Sequence, residues 1–343
     1  MNGRSIRINR MPALILAFIV VCGIIYTLNV LSEDKPLYGM LRNTNQVNMR
    51  KLLIGSIQAA QRGGLEILDV AHSRDLQQKS KGKTLEGVDD PYTQADARSH
   101  CIMKGGMHRI FPKLNIVSEE DKEGCLESGI FELDPTVLHE TAITPDELVD
   151  VKDITVWIDP LDATKEFTEK LYKYVTTMVC VAVKGVPVIG VIHSPFTGKT
   201  SWAWQEKSVS EDLANLKKEH TLTKHPIITV SRSHAGDVKN ISKEVFGENS
   251  NILIAAGAGY KVLQVVANNA TAYLHSTRIK KWDICAGNAI LNALGGKMTT
   301  WTNEEINYAD GSDAINDKGL LAALTNHDVY IAKMLERHNK IQR

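Results

Sequence analysis

The chain has 343 residues, and its 40 lysine and arginine side chains balance 40 aspartate and glutamate side chains, so the formal net charge is zero. A zero balance without a basic tract argues against a nucleic-acid partner, and the absence of low-complexity tracts argues against a disordered chain. The length allows one large domain or two packed ones.

The first predicted element is a membrane-spanning helix at residues 11–31. The segment has no charged residue, and about 20 apolar residues are enough to cross a bilayer. Arginines precede it and acidic residues follow it, so the positive-inside tendency places residues 1–10 in the cytosol and the body in a lumen, a type II topology. A cleaved signal peptide is the alternative, although the apolar span is longer than usual for one. Residues 32–46 are predicted to be a stem.

Residues 47–205 are predicted to form an α+β domain that begins with a helix. Apolar side chains recur at helical spacing over residues 47–78, with an interruption expected at Gly63-Gly64. A charged loop or hairpin follows over residues 79–90. Thr93 then has the character of a helix N-cap, with an acid three positions later, and is predicted to start a second helix.

Two predicted strands of this domain end in acidic residues. Residues 114–117 lead into Glu119, and residues 154–158 lead into Asp159. Pro160 disfavours the α region for the residue before it, and the strand is expected to stop at Asp159.

The rest of the first domain is predicted to be a hairpin and an insertion. The apolar runs 174–183 and 186–193 flank Lys184-Gly185 and predict the hairpin. Residues 201–205 add another strand. Residues 121–150 are polar and lack a regular period, which is typical of an insertion or flap.

Residues 206–343 are predicted to form an α/β domain, because strands and helices alternate there. The predicted strands are residues 227–230, 252–255, 272–274 and 320–324. The predicted helices are residues 237–246, 260–268, 283–294 and 328–338.

The five cysteines show no Cys-x-x-Cys pattern, so no zinc site is predicted. Cys101 and Cys125 could form a disulfide in a lumenal compartment, a question that the sequence leaves open. Cys180 and Cys285 lie in apolar stretches and are predicted to be reduced core residues.

The most informative segment runs from Trp157 to Thr164, where an apolar run ends in Asp159 and Asp162. Carboxylates and backbone carbonyls, here that of Leu161, are the ligands that hard divalent cations take. Thr164 follows at a predicted helix start, where free amides can bind a phosphate and the hydroxyl can hold a water. The segment therefore predicts metal-assisted phosphate chemistry.

Three further acids, Asp96, Glu119 and Asp283, occur at predicted strand ends or helix starts. Taken singly, each is explained by helix capping or by solvation, as are the polar residues of the segment above. Together they would supply the bridging carboxylates that hold two cations about 4 Å apart. Their joint occurrence favours a metal site.

Three motifs resemble, in this order, the lithium-sensitive, magnesium-dependent phosphatase family: Glu119-Glu120, Asp159-Pro160-Leu161-Asp162-Ala163-Thr164 and Trp282-Asp283. This family includes inositol monophosphatases, inositol polyphosphate 1-phosphatases and 3'(2'),5'-bisphosphate nucleotidases. The resemblance covers about residues 48–340 and implies a layered αβαβα sandwich with two or three Mg²⁺ ions as cofactors. Ala163, where inositol monophosphatases usually have glycine, favours the nucleotidase branch.

The resemblance also implies roles for individual residues, as metal ligands, as a pair that activates water and as a nucleotide pocket. The implied metal ligands are Glu119, Asp159, the carbonyl of Leu161, Asp162 and Asp283. Asp96 is implied either to bind a further metal ion or, as a pair with Thr164, to activate water. The Ser-Arg-Ser-His and Gly-Tyr-Lys segments imply that the AMP moiety is bound by Ser231, His234, Gly257 and Lys261.

The implied reaction removes the 3'-phosphate of 3'-phosphoadenosine 5'-phosphate, a small-molecule nucleotide, by a metal-activated water. With the predicted anchor, the resemblance implies a Golgi membrane protein whose catalytic body is lumenal. Two alternatives stay open: a membrane-anchored inositol monophosphatase, and a catalytically inactive anchored binding protein that keeps the fold. The sequence leaves the oligomeric state open, a homo-oligomer included.

Overall fold

The described part of the chain begins after the predicted anchor. The computed structural model describes residues 45–84, 87–121, 125, 131–138, 146–216, 224–232 and 238–341. The predicted anchor at residues 11–31 and nearly all of the predicted stem lie outside these ranges. Within them, no helix is long and apolar enough to cross a bilayer. Val47–Arg343 form one compact unit, and the predicted boundary near residue 206 inside it stays a prediction.

Helices and strands are numbered here in chain order within the described residues. The helices are α1 (Met49–Ser73), α2 (Gln94–Ile110), α3 (Thr164–Thr168), α4 (Glu211–Ala214), α5 (Val238–Phe246), α6 (Ala258–Val266), α7 (Lys281–Ala293) and α8 (His327–Ile341). The strands are β1 (Gln46–Asn48), β2 (Lys79–Lys83), β3 (Asp89–Tyr92), β4 (Asn115–Ser118), β5 (Leu148–Asp150), β6 (Ile154–Asp162), β7 (Thr176–Val183), β8 (Val186–Ser194), β9 (Lys199–Trp204), β10 (Ser208–Val209), β11 (Ile227–Ser231), β12 (Asn251–Ala255), β13 (Ala272–His275), β14 (Ile279–Lys280), β15 (Lys297–Thr299), β16 (Ile315–Asn316) and β17 (Leu320–Ala323).

The first sheet has the strand order β10-β9-β8-β7-β6-β4 and is antiparallel except for the pair β4–β6. β7 is buried on both faces, as its continuous run of apolar and small residues predicts. The hairpin between β7 and β8 turns at Lys184 and Gly185, with φ angles of 50° and 82°. These angles suit the primed turns of tight hairpins, and the hairpin prediction is confirmed.

Helices α1 and α2 cover one face of this sheet. Asn48 caps α1, because its side-chain oxygen accepts a hydrogen bond from the Lys51 amide at 2.8 Å. The interruption expected at Gly63-Gly64 is wrong, since α1 runs unbroken through both glycines. A Cβ at Gly63 would come 2.4 Å from the sulfur of Met103 in α2. The glycine therefore allows close packing of two helices and does not end one.

Helix α7 packs on the opposite face of the first sheet, beside α6. Ile284, Ile290 and Leu291 are fully buried there, and burial of each such side chain contributes about 1.5–3 kcal/mol. The backbone of α7 comes very close to the sheet at Gly190 of β8, where a Cβ would lie 2.2 Å from the carbonyl oxygen of Ala286. Only glycine fits at this point, so Gly190 sets how closely α7 lies against the sheet.

The second sheet has the strand order β12-β11-β13-β17-β15. β11 is parallel to both of its neighbours, whereas β17 is antiparallel to β13 and β15. One face contacts α6 and α7, and the other contacts α5 and α8. The layers are therefore α1–α2, first sheet, α6–α7, second sheet and α5–α8, and the predicted αβαβα sandwich is confirmed.

The predicted end of the β6 strand at Asp159 is wrong, because β6 continues through Pro160 to Asp162. Its register with β7 shifts between Asp159 and Asp162, as at a β-bulge. A bulge leaves a residue without a ladder hydrogen bond, and a proline is tolerated at such a point. The two acids thus belong to one bent strand.

The cysteines form two disulfides in the described residues. Cys180 of β7 and Cys285 of α7 are joined, so the prediction of reduced core thiols is wrong. They lie 105 positions apart in the chain, and only tertiary packing brings them together. The Cys101–Cys125 disulfide, left open by the sequence, is present. Cys125 belongs to the predicted insertion at residues 121–150, which is described only in part.

Candidate active site

Three of the predicted metal-binding carboxylates lie together at one edge of the first sheet. Glu119, Asp159 and Asp283 each offer an oxygen, and these oxygens all lie within 4.8 Å of one another. The parallel strands β4 and β6 are in register at Ser118 and Ile158. The next residue of each, Glu119 just after β4 and Asp159 within β6, therefore lies beside the other. Asp283 is added from the first turn of α7.

This carboxylate cluster concentrates negative charge in a partly buried place, because Asp159 is buried and Glu119 and Asp283 are half-buried. Burial raises the pKa of Asp159 and of Asp283 well above the ordinary value, and the charge of Glu119 raises both further. A hard divalent cation would relieve this repulsion, and oxygen donors of this kind are the ligands that Mg²⁺ takes. The residues therefore fit a metal ion.

A lysine that the sequence did not single out lies on the cluster. The ammonium of Lys81, on β2, is 2.9 Å from Glu119 and also contacts Glu120. Burial alone would lower the pKa of Lys81, but the charges of Glu119 and Glu120 more than offset this, and the pKa is raised. Nothing distinguishes this lysine in the sequence from others of the charged hairpin, because its partners lie on a different part of the chain.

Asp96 serves two partners at once. Its Oδ2 accepts hydrogen bonds from the Thr93 amide at 2.7 Å and the Thr93 hydroxyl at 2.6 Å, as in the predicted capping box. Its Oδ1 accepts from the Thr164 hydroxyl at 2.9 Å, and that hydroxyl lies 3.1 Å from the Leu161 carbonyl. Burial raises the pKa of Asp96 to about 6. The helix-capping role and the contact with Thr164 therefore coexist in one carboxylate.

Asp162 lies beside the carboxylate cluster and faces the second sheet. Its Oδ2 accepts hydrogen bonds from the Gly259 amide at 2.9 Å and from the Thr176 hydroxyl at 3.2 Å. Burial raises its pKa, and the charge of Lys261 opposes this. Asp162 thus connects the edge of the first sheet to the start of α6.

The turn that follows Asp162 has a left-handed residue, Ala163, with a φ of 70°. The helix behind it, α3, has only five residues. The predicted phosphate site at this helix start therefore has little helix dipole behind it, and its backbone amides are the remaining donors.

A polar network lies on the inner side of the second sheet. The buried Lys261 ammonium donates to the Ser231 hydroxyl at 3.2 Å and lies 4.9 Å from the centre of the Tyr273 ring. Nδ1 of His275 is 3.3 Å from both the Ser231 and the Tyr273 oxygens. Burial lowers the pKa of Lys261 to about 8. We call Ser231, Lys261, Tyr273 and His275 the lysine network.

A cleft of about 420 Å³ joins the carboxylate cluster to the lysine network, and Gly257 also lines it. Gly257 precedes α6 with a φ of 69°, and a Cβ there would come 2.7 Å from the Tyr174 carbonyl oxygen. His234, the fourth predicted nucleotide-binding residue, lies outside the described residues. Apart from Asp96, which contacts the lining residue Thr164, the described members of the predicted site line one connected space.

The sequence analysis did not identify Tyr273 and His275, although their positions on a strand indicate that they belong to the site. They occupy alternate positions of β13 and so share one face of the strand. β13 pairs with β11, where Thr229 lies opposite Tyr273, and this register carries Ser231 alongside His275. Recognising that His275 lies beside Ser231 therefore requires knowing that β11 and β13 pair, although these residues are more than 40 positions apart in the chain.

Comparison with known proteins places the chain among phosphatases. A family model described as the inositol monophosphatase family matches residues 48–340. A relative from Drosophila melanogaster named "Putative inositol monophosphatase 3" is 62% identical over 346 residues, which cover 99% of this chain and 98% of the relative. A Bos taurus relative named "Golgi-resident adenosine 3',5'-bisphosphate 3'-phosphatase" is 47% identical over 298 residues, covering 84% of this chain and 80% of the relative.

A solved structure of similar fold is an inositol monophosphatase from Anabaena (Nostoc) sp., with a TM-score of 0.59. It is 18% identical in sequence, and the match covers 84% of this chain and 96% of that one. The likeness concerns the fold. The names of the sequence relatives point to two different substrates, an inositol phosphate and a bisphosphorylated nucleotide.

Proposed function

We propose that this chain, which belongs to the inositol monophosphatase family, removes the 3'-phosphate of 3'-phosphoadenosine 5'-phosphate and yields AMP and phosphate. The chain is a phosphatase of that family; the proposal concerns the substrate. The observation that carries it is the lysine network, which lines the same cleft as the carboxylates, since a buried ammonium beside hydroxyls is suited to an anionic nucleotide. The Golgi-resident relative at 47% identity supports it.

The family is metal dependent, typically with Mg²⁺. Glu119, Asp159 and Asp283 would hold the first ion, and Asp162 with the Leu161 carbonyl would complete a site for two or three ions. Bound Mg²⁺ supplies charge stabilisation for the phosphoryl oxygens and a lowered pKa for water. Asn in place of any of these carboxylates would weaken that binding.

Thr164 and Asp96 orient the attacking water in this proposal. The Thr164 hydroxyl is held by Oδ1 of Asp96 at 2.9 Å, so its oxygen lone pair is available to accept a hydrogen bond from a water in the cleft. With a pKa of about 6, Asp96 is ionised at neutral pH and can take a proton through this hydroxyl.

The nucleoside part is proposed to lie against Ser231, Gly257 and Lys261, with His234 added from outside the described residues. Lys261 is positively charged below a pH of about 8, and Gly257 allows a close approach to the backbone. The AMP moiety is thereby held while the 3'-phosphate meets the carboxylate cluster.

We extend the proposal to the location of the protein. Residues 11–31 would anchor it in the Golgi membrane in type II orientation, with the catalytic body in the lumen, supported by the charge pattern around this segment and by the Golgi-resident relative. Protease treatment of intact Golgi vesicles should leave the body protected and remove only an N-terminal tag.

A second candidate, inositol monophosphatase activity, is favoured by the name of the 62% identical relative. The two are separated by the kcat/KM of the purified full-length protein, in detergent and with Mg²⁺, for 3'-phosphoadenosine 5'-phosphate and for inositol 1-phosphate. The proposal expects the nucleotide to be preferred and LiCl to inhibit. Preference for the inositol ester overturns it. Absence of any magnesium-dependent phosphate release would instead support an inactive binding protein.

A further inference from the structure

One arginine of the cleft has no ionic partner within the described residues. Arg232, another cation of the lining, pairs with Glu166 at 3.2 Å and also contacts Glu169. Lys280 lies 5.4 Å from the centre of the Trp282 ring. Arg278 lines the same cleft and is exposed, and the described part of the chain offers its guanidinium neither a carboxylate nor a ring.

The backbone of Arg278 is tied to the lysine network. Its carbonyl oxygen is 3.4 Å from Nε2 of His275, and Nδ1 of the same imidazole is 3.3 Å from the Ser231 hydroxyl. Arg278 lies between β13 and β14, five positions before Asp283 of the carboxylate cluster. The segment is therefore anchored next to the proposed nucleoside end of the cleft and leads directly to the metal end.

A guanidinium at this point suits one chemical group in particular. It stays charged at all physiological pH values and presents a planar fork that binds phosphate oxygens in pairs. The rest of the lining mixes carboxylates, including Asp162 and the carboxylate cluster, with cations. Of these cations, Arg232 is already paired with two glutamates and Lys261 is held in the lysine network. A second phosphate on the substrate would be repelled by the carboxylates unless a cation received it.

We propose that Arg278 is a specificity-determining residue that binds the second, non-reacting phosphate of a bisphosphorylated nucleotide. The inference rests on the proposed function, because it requires a substrate with two phosphates. The reacting phosphate belongs at the carboxylate cluster, whose residues would hold the cation that neutralises it. A monophosphate such as inositol 1-phosphate has no group for Arg278, so this residue separates the two substrate classes.

The test uses the full-length protein and two nucleotides that differ only in the second phosphate, 3'-phosphoadenosine 5'-phosphate and 3'-AMP. Arg278→Gln is expected to lower kcat/KM for the bisphosphate by roughly tenfold to hundredfold, the effect of losing a hydrogen-bonded charge. The loss should lie mainly in KM, and kcat/KM for 3'-AMP should change less than about twofold. Arg278→Lys should recover part of the loss, since it keeps the charge without the fork.

Lys165→Gln is the matched control, because Lys165 is another cation lining the cleft. It should leave the ratio of the two kcat/KM values unchanged. If Arg278→Gln lowers kcat/KM equally for both nucleotides, or for neither, the inference is overturned. The proposed function still stands in that case, provided that the wild type prefers the bisphosphate. A wild type that prefers 3'-AMP or inositol 1-phosphate overturns both.

Discussion

The two ends of the cleft differ in how far their charged groups are balanced by neighbouring side chains. At the first sheet, Glu119, Asp159 and Asp283 are brought within 4.8 Å of one another, and the pKa values of the two aspartates are raised. At the second sheet, Lys261 already has a hydroxyl partner and an aromatic ring. The first end gains stability when a cation binds, whereas the second is largely satisfied by its own side chains.

We propose from this difference that the first end carries the chemistry and the second end the choice of substrate. Lys81 compensates only part of the negative charge of the first end, and the remainder is available to a cation, which in turn could receive the reacting phosphate. A network that is already satisfied can only orient a substrate, and its loss should appear in KM more than in kcat. Four substitutions can test this division between catalysis at the carboxylates and substrate binding at the lysine network.

Asp159→Asn is expected to lower kcat by more than roughly hundredfold, since even the outer partners of metal ligands contribute 10–100-fold. Its melting temperature in EDTA should not fall, because the substitution removes a buried charge from beside Glu119. Scanning fluorimetry with and without Mg²⁺ should show that the metal-dependent rise is lost. Asp90→Asn, another carboxylate of the cleft lining, should retain that rise. An unchanged rise in Asp159→Asn would contradict the metal assignment.

Thr164→Val is expected to lower kcat by about 10²-fold or more with little change in KM, because it removes the hydroxyl held by Asp96. Thr168→Val provides the control in the same helix, since its hydroxyl donates to the Lys165 carbonyl at 2.8 Å. Steady-state kinetics on both variants decides the point. Similar losses in the two would mean that Thr164 acts only in the packing of α3.

Lys261→Met is expected to lower kcat/KM for the nucleotide roughly tenfold or more at pH 7. Burial lowers the pKa of Lys261 from 10.5 to about 8, so its positive charge is present below that pH and is lost above it. The wild-type kcat/KM should therefore decline as the pH rises through about 8. A pH profile of Lys261→Met should lack this decline, and the same decline in both proteins would contradict the assignment.

Tyr273→Phe is the mildest change, because it keeps the ring near Lys261 and removes only the hydroxyl that lies 3.3 Å from His275. We expect KM for the nucleotide to rise about two- to tenfold with kcat unchanged, the range for one hydrogen bond. Tyr308→Phe removes a comparable buried hydroxyl, one bonded to Asn288 at 3.1 Å. It should alter stability without altering KM. A larger effect on kcat than on KM in Tyr273→Phe would break the proposed division between the two ends.

Local patterns were enough to predict much of the metal end. The capping box of Thr93 and Asp96 depends on residues three apart. The proximity of Glu119 and Asp159 can be inferred once β4 and β6 are known to be parallel neighbours. The hairpin at Lys184 likewise depends on adjacent residues. For the capping box and the hairpin the signal lies within a few positions, where sequence spacing and distance in space agree, whereas Glu119 and Asp159 also need the pairing of β4 with β6.

The rest depends on contacts that spacing cannot show. Lys81 meets Glu119 from 38 positions away, and Cys180 meets Cys285 from 105 positions away. Pro160 was expected to end β6, but the bulge around it is stabilised by pairing with β7. Gly63 was expected to interrupt a helix, and its role becomes visible only with Met103 beside it. Tertiary packing overrode the local preference at both positions.

Gly190 has a consequence for the interpretation of natural variants. It lies on β8, and it is not among the residues that line the cleft. If substitutions were ranked only by their distance from the cleft, a replacement of Gly190 would therefore be classed as harmless. A Cβ there would collide with the backbone of α7 at Ala286, and α7 carries Asp283. We therefore expect an alanine at this position to displace a proposed metal ligand that it does not contact. The expected result is a protein with reduced activity in which every sequence motif of the proposed site is intact.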